Sequence, residues 1–305
     1  MTSLPAKAHL RDLLHTLYSM AFLVEARDPY TGGHLWRVSQ YAMRLALAAG
    51  WSKQGAVTAG LGGFLHDLGK VGVPDSILKY PGKLNEAELA VMRTHPSVGG
   101  QVLQGHPLAA WVMAAVLGHH ERMDGKGYPY GLNGERIAET ARIVSIADAF
   151  DAMTSTRPYR TGIPVAAAIE QIEDNLDTQF DGYFGRRFVE LARSGELDGI
   201  IGHSDSGIPL HECPMCGPVV VARKLQQAGD SVFCRVCGNG FVLDIQQGKP
   251  ALLPALKKGG AADLQAEIDH DLLTRQLEDA LPYLPTLPTV GATGKNWLKR
   301  LRFWG

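Results

Sequence analysis

The chain has 305 residues, 45% of them hydrophobic and 20% charged. That composition excludes wholesale disorder and collagen-like structure, and the length suits two domains or one domain of about 200 residues with an appendage. Thirty basic residues against 31 acidic ones give a formal charge of −1, so no global field attracts nucleic acid or anionic membrane, and no bulk nucleic-acid binding is expected.

The opening MTSLPAKAHLRDLLHT has no basic start followed by an apolar run, so it is not a secretory signal. The longest stretch without Asp, Glu, Lys or Arg, Thr94 to His120, is broken by prolines and glycines and holds too short an apolar part to span a membrane. A soluble cytoplasmic protein is the expectation. Leu10, Leu13, Leu14, Leu17, Met20 and Leu23 follow helical spacing up to Asp28-Pro29. Leu35, Val38, Ala42 and Leu45 repeat the pattern until Gly50. Ser52 is placed to cap a helix carrying Val57, Leu61, Phe64, Leu65 and Leu68, and Asn85 with Glu88 reads as a capping box. Further helices fit Pro107–His119, Ala141–Thr154, Pro164–Asn175 and Phe184–Arg193. Nothing before Gly199 alternates with period two, so an all-α bundle is expected over residues 8–198. Short β-type runs follow at Val219–Val221, Val232–Phe233 and Phe241–Ile245. Residues 261–281 read as a helix with Leu264, Ile268, Leu272, Leu273, Leu277 and Leu281 on one face. Beyond it come a Pro- and Gly-marked linker and a basic, aromatic tail from Lys295 to Gly305.

Five of the eleven histidines, His34, His66, His95, His119 and His120, stand near Asp67 and Asp148 in distinctive local contexts. Imidazole and carboxylate together suit divalent ions such as Fe, Mn or Zn. Adjacent residues on a helix diverge by about 100°, so His66 and Asp67 can serve one site only if it is wide, as a two-metal site is. His9, His15, His106, His203, His211 and His270 lack such contexts and are expected to be satisfied locally.

Those contexts run in order: Arg27-Asp-Pro-Tyr-Thr-Gly-Gly-His34, Leu65-His-Asp-Leu-Gly-Lys-Val-Gly-Val-Pro74, Met92-Arg-Thr-His-Pro96, His119-His-Glu-Arg-Met-Asp-Gly-Lys-Gly-Tyr-Pro129, Ile146-Ala-Asp-Ala-Phe-Asp-Ala-Met-Thr-Ser155 and Arg157-Pro-Tyr-Arg160. Together they resemble the HD-GYP family, the branch of the HD phosphohydrolases that hydrolyses cyclic di-GMP. The resemblance spans residues 8–198 and implies an all-α HD-domain bundle with two divalent metals, Fe or Mn before others. It implies that His34, His66, Asp67 and Asp148 hold one ion, and that Asp67 bridges to a second held by His95, His119 and His120. Lys70 would reach a phosphate oxygen, and Arg157 and Arg160 would meet phosphates at the rim. Gly127, Tyr128 and Pro129 would shape the guanine end of the pocket. Two rival expectations stand beside this one: a non-catalytic module that binds the dinucleotide, and a phosphohydrolase of another nucleotide. The complete ligand set argues against the first. Where some members of the family carry a Glu that helps hold a third metal, this chain has Tyr30, a poor ligand at neutral pH, so two metals are expected. Lys126 would add positive charge at the pocket mouth. The family often carries an N-terminal input module; none is expected here, because the sequence starts almost directly with the expected catalytic helices.

Cys213-Pro-Met-Cys216 and Cys234-Arg-Val-Cys237 are separated by 17 residues, and a glycine follows each pair. Two such pairs read as a zinc ribbon with one structural Zn over residues 205–250, with rubredoxin-type iron and disulfides as alternatives. Arg223, Lys224 and Arg235 are offset by Asp230 and Asp244, which favours protein contact or a structural role over nucleic acid. The remaining segment, 251–305, is expected to supply a helix, the linker and a tail for docking to a protein or to anionic lipid, making the protein cytoplasmic or peripheral to a membrane.

Overall fold

Apolar side chains at helical spacing from Leu10 to Val24 build the first long helix, α1 (Leu4–Arg27), whose buried face opens the core. The computed structural model describes residues 4–28, 31–156, 161–217, 219–246, 248–265 and 267–285. Nine more helices complete the helical body: α2 (His34–Ala48), α3 (Lys53–Leu65), α4 (Asp75–Leu78), α5 (Glu86–Met92), α6 (His95–Val102), α7 (Ala109–Gly118), α8 (Glu139–Thr154), α9 (Val165–Asp174) and α10 (Gly182–Arg193). Ser52 caps α3 by accepting from Gly55 N, and Asn85 and Glu88 form a reciprocal capping box on α5. Gly50, in the left-handed region at φ 82°, follows the end of α2. Helix α3 is buried along nearly its whole length and packs against α2, α7 and α8, so it shows no amphipathic stripe. Tyr41, Phe150 and Phe188 meet edge to face at 4.9–6.0 Å in the centre.

Three expectations are corrected here. Leu68 does not extend α3. That helix stops at Leu65, His66 caps it, and Leu68–Gly72 forms a 3-10 turn. His66 and Asp67 therefore sit on a break in the helix, which frees both side chains to face one site. The helix expected over 261–281 is α11 (His270–Ala280) alone. Asp269 accepts from Leu272 N and fixes the start there, while Asp263 accepts from Gly260 N in a separate turn. Strand β7 (Lys249–Lys258) was missed because Pro250 and Pro254 argue against a central strand; it is an edge strand, where proline is tolerated.

The β segment holds the hairpin β1 (His203–Asp205) and β2 (Ile208–Pro209), the pair β3 (His211–Glu212) and β4 (Val219–Val220), and the antiparallel sheet β5 (Ser231–Phe233), β6 (Asn239–Gln246), β7. It has its own small core of Ile208, Val220, Val232, Phe241 and Leu243 around Cys213 and Cys234. Helix α11 returns to the helical body, where Leu272, Leu273 and Leu277 join its core. No described helix is long and apolar enough to cross a membrane. The basic tail, with the expected docking role, lies outside the described residues, as do Tyr30, Arg157 and Arg160.

Candidate metal centre

Each predicted histidine stands at the end of an element, where its ring can turn inward. His34 opens α2, His66 and Asp67 follow α3, His95 opens α6, and His119 and His120 follow α7. Asp148 comes from the middle of α8. Three close approaches of possible ligand atoms result: His34 with His66 and Asp148, His95 with His119 and His120, and His66 with Asp67 and His119. Asp67 lies between the first two. Its Oδ2 is 3.5 Å from His34 Nε2 and 3.3 Å from His66 Nε2, while Oδ1 is 3.5 Å from His95 Nε2.

The proton positions fit cation binding. His66 Nδ1 donates to Gly63 O at 2.6 Å, His95 Nδ1 to Met92 O at 2.9 Å and His119 Nδ1 to Val116 O at 3.0 Å. His34 Nδ1 donates to Asp151 Oδ2 at 2.8 Å. With Nδ1 of each ring engaged as the donor, Nε2 is the nitrogen left facing inward. His34 and His66 Nε2 then face each other at 3.3 Å, and His95 and His119 Nε2 at 3.1 Å. Two lone pairs at those distances repel unless positive charge joins them: a proton on His34 serves the first pair, and a divalent ion would serve both.

The electrostatics divide the site into two halves. Burial opposes ionisation of Asp67, but Lys70, His66 and His34 hold its carboxyl well below the usual carboxylate range. Burial likewise opposes a charge on His34, yet hydrogen bonds to Asp151 and Asp67 and the nearby Asp148 carry it up to about 9. The carboxylates there favour a cation. On the other side, burial pushes His119 well down, helped by His120 and His66, and lowers His120 to about 3. Burial lowers His95 too. These rings are neutral near pH 7, the form that ligates metal.

Supports for these residues explain several motif positions. A Cβ on Gly69 would fall 1.8 Å from His95 O, so only glycine lets the turn after Asp67 press against the start of α6. Arg27 donates to Val71 O and Val73 O at 3.2 and 3.1 Å and pairs with Asp75 at 2.7 Å, fixing the loop beyond Lys70. Lys70 Nζ donates to Asp67 Oδ2 at 2.6 Å. Gly127 packs where a Cβ would lie 2.5 Å from the backbone of His120, Glu121 and Arg122. Pro129 follows Tyr128 within the same lip. Lys126, expected at the pocket mouth, is exposed and does not line the cleft.

A cleft of about 420 Å³ opens over the cluster, lined among others by Asp67, Lys70, His95, His120, Tyr128 and Asp148. Tyr80, Lys83 and Met92 also line it; Tyr80 and Lys83 sit in a connecting loop with no motif, and Met92, within the motif around His95, had no role assigned to it. It also missed Glu25, whose Oε1 accepts from Leu35 N at the start of α2, and Glu121, whose two oxygens accept from Tyr130 N and Leu132 N and so hold the Gly127–Pro129 lip. Arg37 and Asp151 were missed as well. Asp151 stands three residues after Asp148 on the same helix face, a spacing that could have found it.

The Tyr128 ring stacks on His120 at 4.6 Å and 26°. It is expected to shape the pocket without touching the metals, and its ring rests against His120, one of the candidate ligands. Tyr128→Ala is therefore expected to raise KM and also loosen metal at the His95 side. Losing an aromatic stack worth about 0.5–1.5 kcal/mol corresponds to a change of about two- to tenfold. Tyr128→Phe should retain both properties, and substrate titration with metal analysis of the two variants checks this.

The four cysteines form a second candidate metal centre. Cys213 and Cys237 Sγ are 3.6 Å apart, Cys216 and Cys213 3.7 Å, and Cys216 and Cys234 3.5 Å. A tetrahedron of thiolates about 2.3 Å from one ion has edges of about 3.8 Å, whereas disulfide sulfurs lie about 2.05 Å apart. The donor set fits one tetrahedral cation.

A family model described as HD domain matches residues 19–183. The chain belongs to the HD domain family. Every motif that resembles HD-GYP proteins lies within the matched span. Among curated relatives of this HD domain chain, a 3'3'-cGAMP-specific phosphodiesterase of Vibrio cholerae is 39% identical over 58% of this chain and 39% of its own length. A cyclic di-GMP phosphodiesterase response regulator of Xanthomonas campestris is 40% identical over 54% of this chain and 44% of its own. A cyclic di-GMP phosphodiesterase of Pseudomonas aeruginosa is 40% identical over 55% and 40%. The HD domain chain thus spans well under half of these relatives' lengths.

Proposed function

We propose that the protein is a metal-dependent phosphodiesterase that hydrolyses cyclic di-GMP to the linear dinucleotide, GMP or both. The observation that carries this reading is Asp67, whose two oxygens face separate histidine groups on the floor of a cleft beside Lys70. His34, His66, Asp67 and Asp148 are assigned to one divalent ion, and Asp67, His95, His119 and His120 to another, with Fe or Mn favoured by the mixed imidazole and carboxylate donors. Such a pair supplies charge neutralisation of a phosphodiester and acidification of an attacking water. The protein's own part is to hold Asp67 ionised between the two groups and to orient His34, His66, His95 and His119 through their Nδ1 bonds. Lys70 lies beside Asp67 and donates to a non-bridging phosphate oxygen as negative charge builds there. Tyr80 and Tyr128 offer aromatic faces to the bases, and Arg157 and Arg160 remain assigned to phosphates at the rim.

The matched Vibrio cholerae relative favours a second reading for the bases, 3'3'-cGAMP. Turnover of cyclic di-GMP, 3'3'-cGAMP and linear dinucleotides by Mn- or Fe-loaded protein tests both. Binding without cleavage under every metal condition would overturn catalysis in favour of a dinucleotide-binding module.

For the thiolate cluster we propose zinc, as a structural ribbon. One zinc per chain is expected, lost from Cys213→Ser or Cys237→Ser while the helical circular-dichroism signal persists. Metal analysis of the purified variants decides it; zinc retained at parent level would refute the ribbon. Free thiols in this cluster suit a reducing compartment, and we place the protein in the cytoplasm, with the tail as a docking segment for a protein or an anionic membrane.

A further inference from the structure

Arg37 is 2% exposed on the first turn of α2, three residues after His34. A guanidinium has five N–H groups, and this one directs bonds from all three nitrogens to surrounding acceptors. Nε donates to Asp151 Oδ1 at 2.5 Å, and Nη2 to Asp151 Oδ2 at 2.9 Å and Ser155 Oγ at 3.3 Å. Nη1 donates to Gly32 O at 3.0 Å and His203 O at 2.9 Å. Asp151 in turn accepts from His34 Nδ1. His203 begins β1, so the β segment provides an acceptor three hydrogen bonds from a candidate ligand, with Arg37 and Asp151 between.

The contact is close on the backbone side too. Gly33 precedes His34 at φ 73°, and a Cβ there would lie 2.5 Å from Ser204 Cα. Strand β1 therefore lies directly against the turn that presents His34. It is held from its other end by α11: Arg275 donates to Asp205 Oδ1 at 3.0 Å and to Oδ2 at 2.5 Å, and Asp205 is 4% exposed.

We propose that the β1 hairpin is a working part of the His34 cation site, acting through Arg37 and Asp151 as positioning residues. This rests on the two-cation reading above. Asp151 sets the tautomer and orientation of His34, Arg37 fixes Asp151, and the His203 carbonyl fixes Arg37. Loosening β1 releases that chain of contacts from one end. His95 and His119 instead donate Nδ1 to the backbone carbonyls of Met92 and Val116, neither of which belongs to β1. The C-terminal segment thus controls one half of the metal pair and leaves the other half alone.

The test is Mn²⁺ binding to the full-length protein by calorimetry, with electron paramagnetic resonance to distinguish a coupled pair from isolated ions. Arg275→Met touches no candidate ligand and frees Asp205. Arg37→Lys keeps the charge but cannot span Asp151 and His203. In both, affinity at one of the two sites is expected to fall about 10–100-fold, the range seen when an outer partner of a ligating histidine is lost. The second affinity should stay within twofold, and the coupled signal should give way to that of single ions at limiting Mn²⁺. Folded variants that keep both affinities and the coupled signal overturn the inference alone. Equal weakening of both sites also overturns it. A parent protein that never shows a coupled pair overturns the two-cation reading, and this inference with it.

Discussion

Replacing Asp67 with alanine is expected to reduce hydrolysis of cyclic di-GMP to the buffer background, a loss of about 10³-fold or more, equivalent to about 4 kcal/mol or more in the barrier. Asp67 is the one candidate ligand whose oxygens face both histidine groups, so its removal separates the two halves of the site. Asp67→Asn keeps the shape but loses the negative charge that would hold two dications close together, and it should be nearly as damaging. Metal content should fall in step with rate. Turnover with metal analysis of both variants is the check, and an Asp67→Ala protein with parental turnover would refute the paired arrangement.

Lys70→Ala is expected to separate rate from metal content. All seven candidate ligands remain, so two ions should still bind per helical domain. The transition state loses one positive charge, and the rate should fall about 10²–10³-fold, as when one oxyanion donor is removed. Lys70 also donates to Asp67 Oδ2, so the metal-free variant leaves that buried carboxylate without its shortest cationic contact. Chemical denaturation should find the metal-free variant less stable than the metal-free parent, and bound metal should narrow that difference. Parental turnover in Lys70→Ala would remove the residue from the chemistry.

Much of this was legible in the sequence because it is local. Helical spacing revealed the bundle, and Ser52 and Asn85 with Glu88 announced two helix starts. The His and Asp residues were found because their neighbours are as distinctive as they are. The break after Leu65 was not legible: the apolar spacing runs through Leu68, and only packing against α6, permitted by Gly69, turns the chain there. Strand β7 was hidden by its prolines, whose effect depends on whether a strand is central or at an edge. Arg37 and Asp151 are far apart in sequence, and their bond depends on how α2 and α8 cross. The contact of His203 with Arg37 depends on the tertiary arrangement and has no local signature.

The return of α11 to the helical body has a consequence for biosynthesis. Leu272, Leu273 and Leu277 complete a core whose other members end at Ile200. On a ribosome adding about 5–20 residues per second, Leu272 follows Ile200 by roughly 4–14 s. Throughout that interval the nascent bundle has the flank of α1 without its final cover, and the thiolate segment is being made in the meantime. Maturation of the helical half therefore waits on a segment translated after the cysteine cluster, and a premature stop within the cysteine segment would leave a bundle with an exposed apolar seam for chaperones to hold.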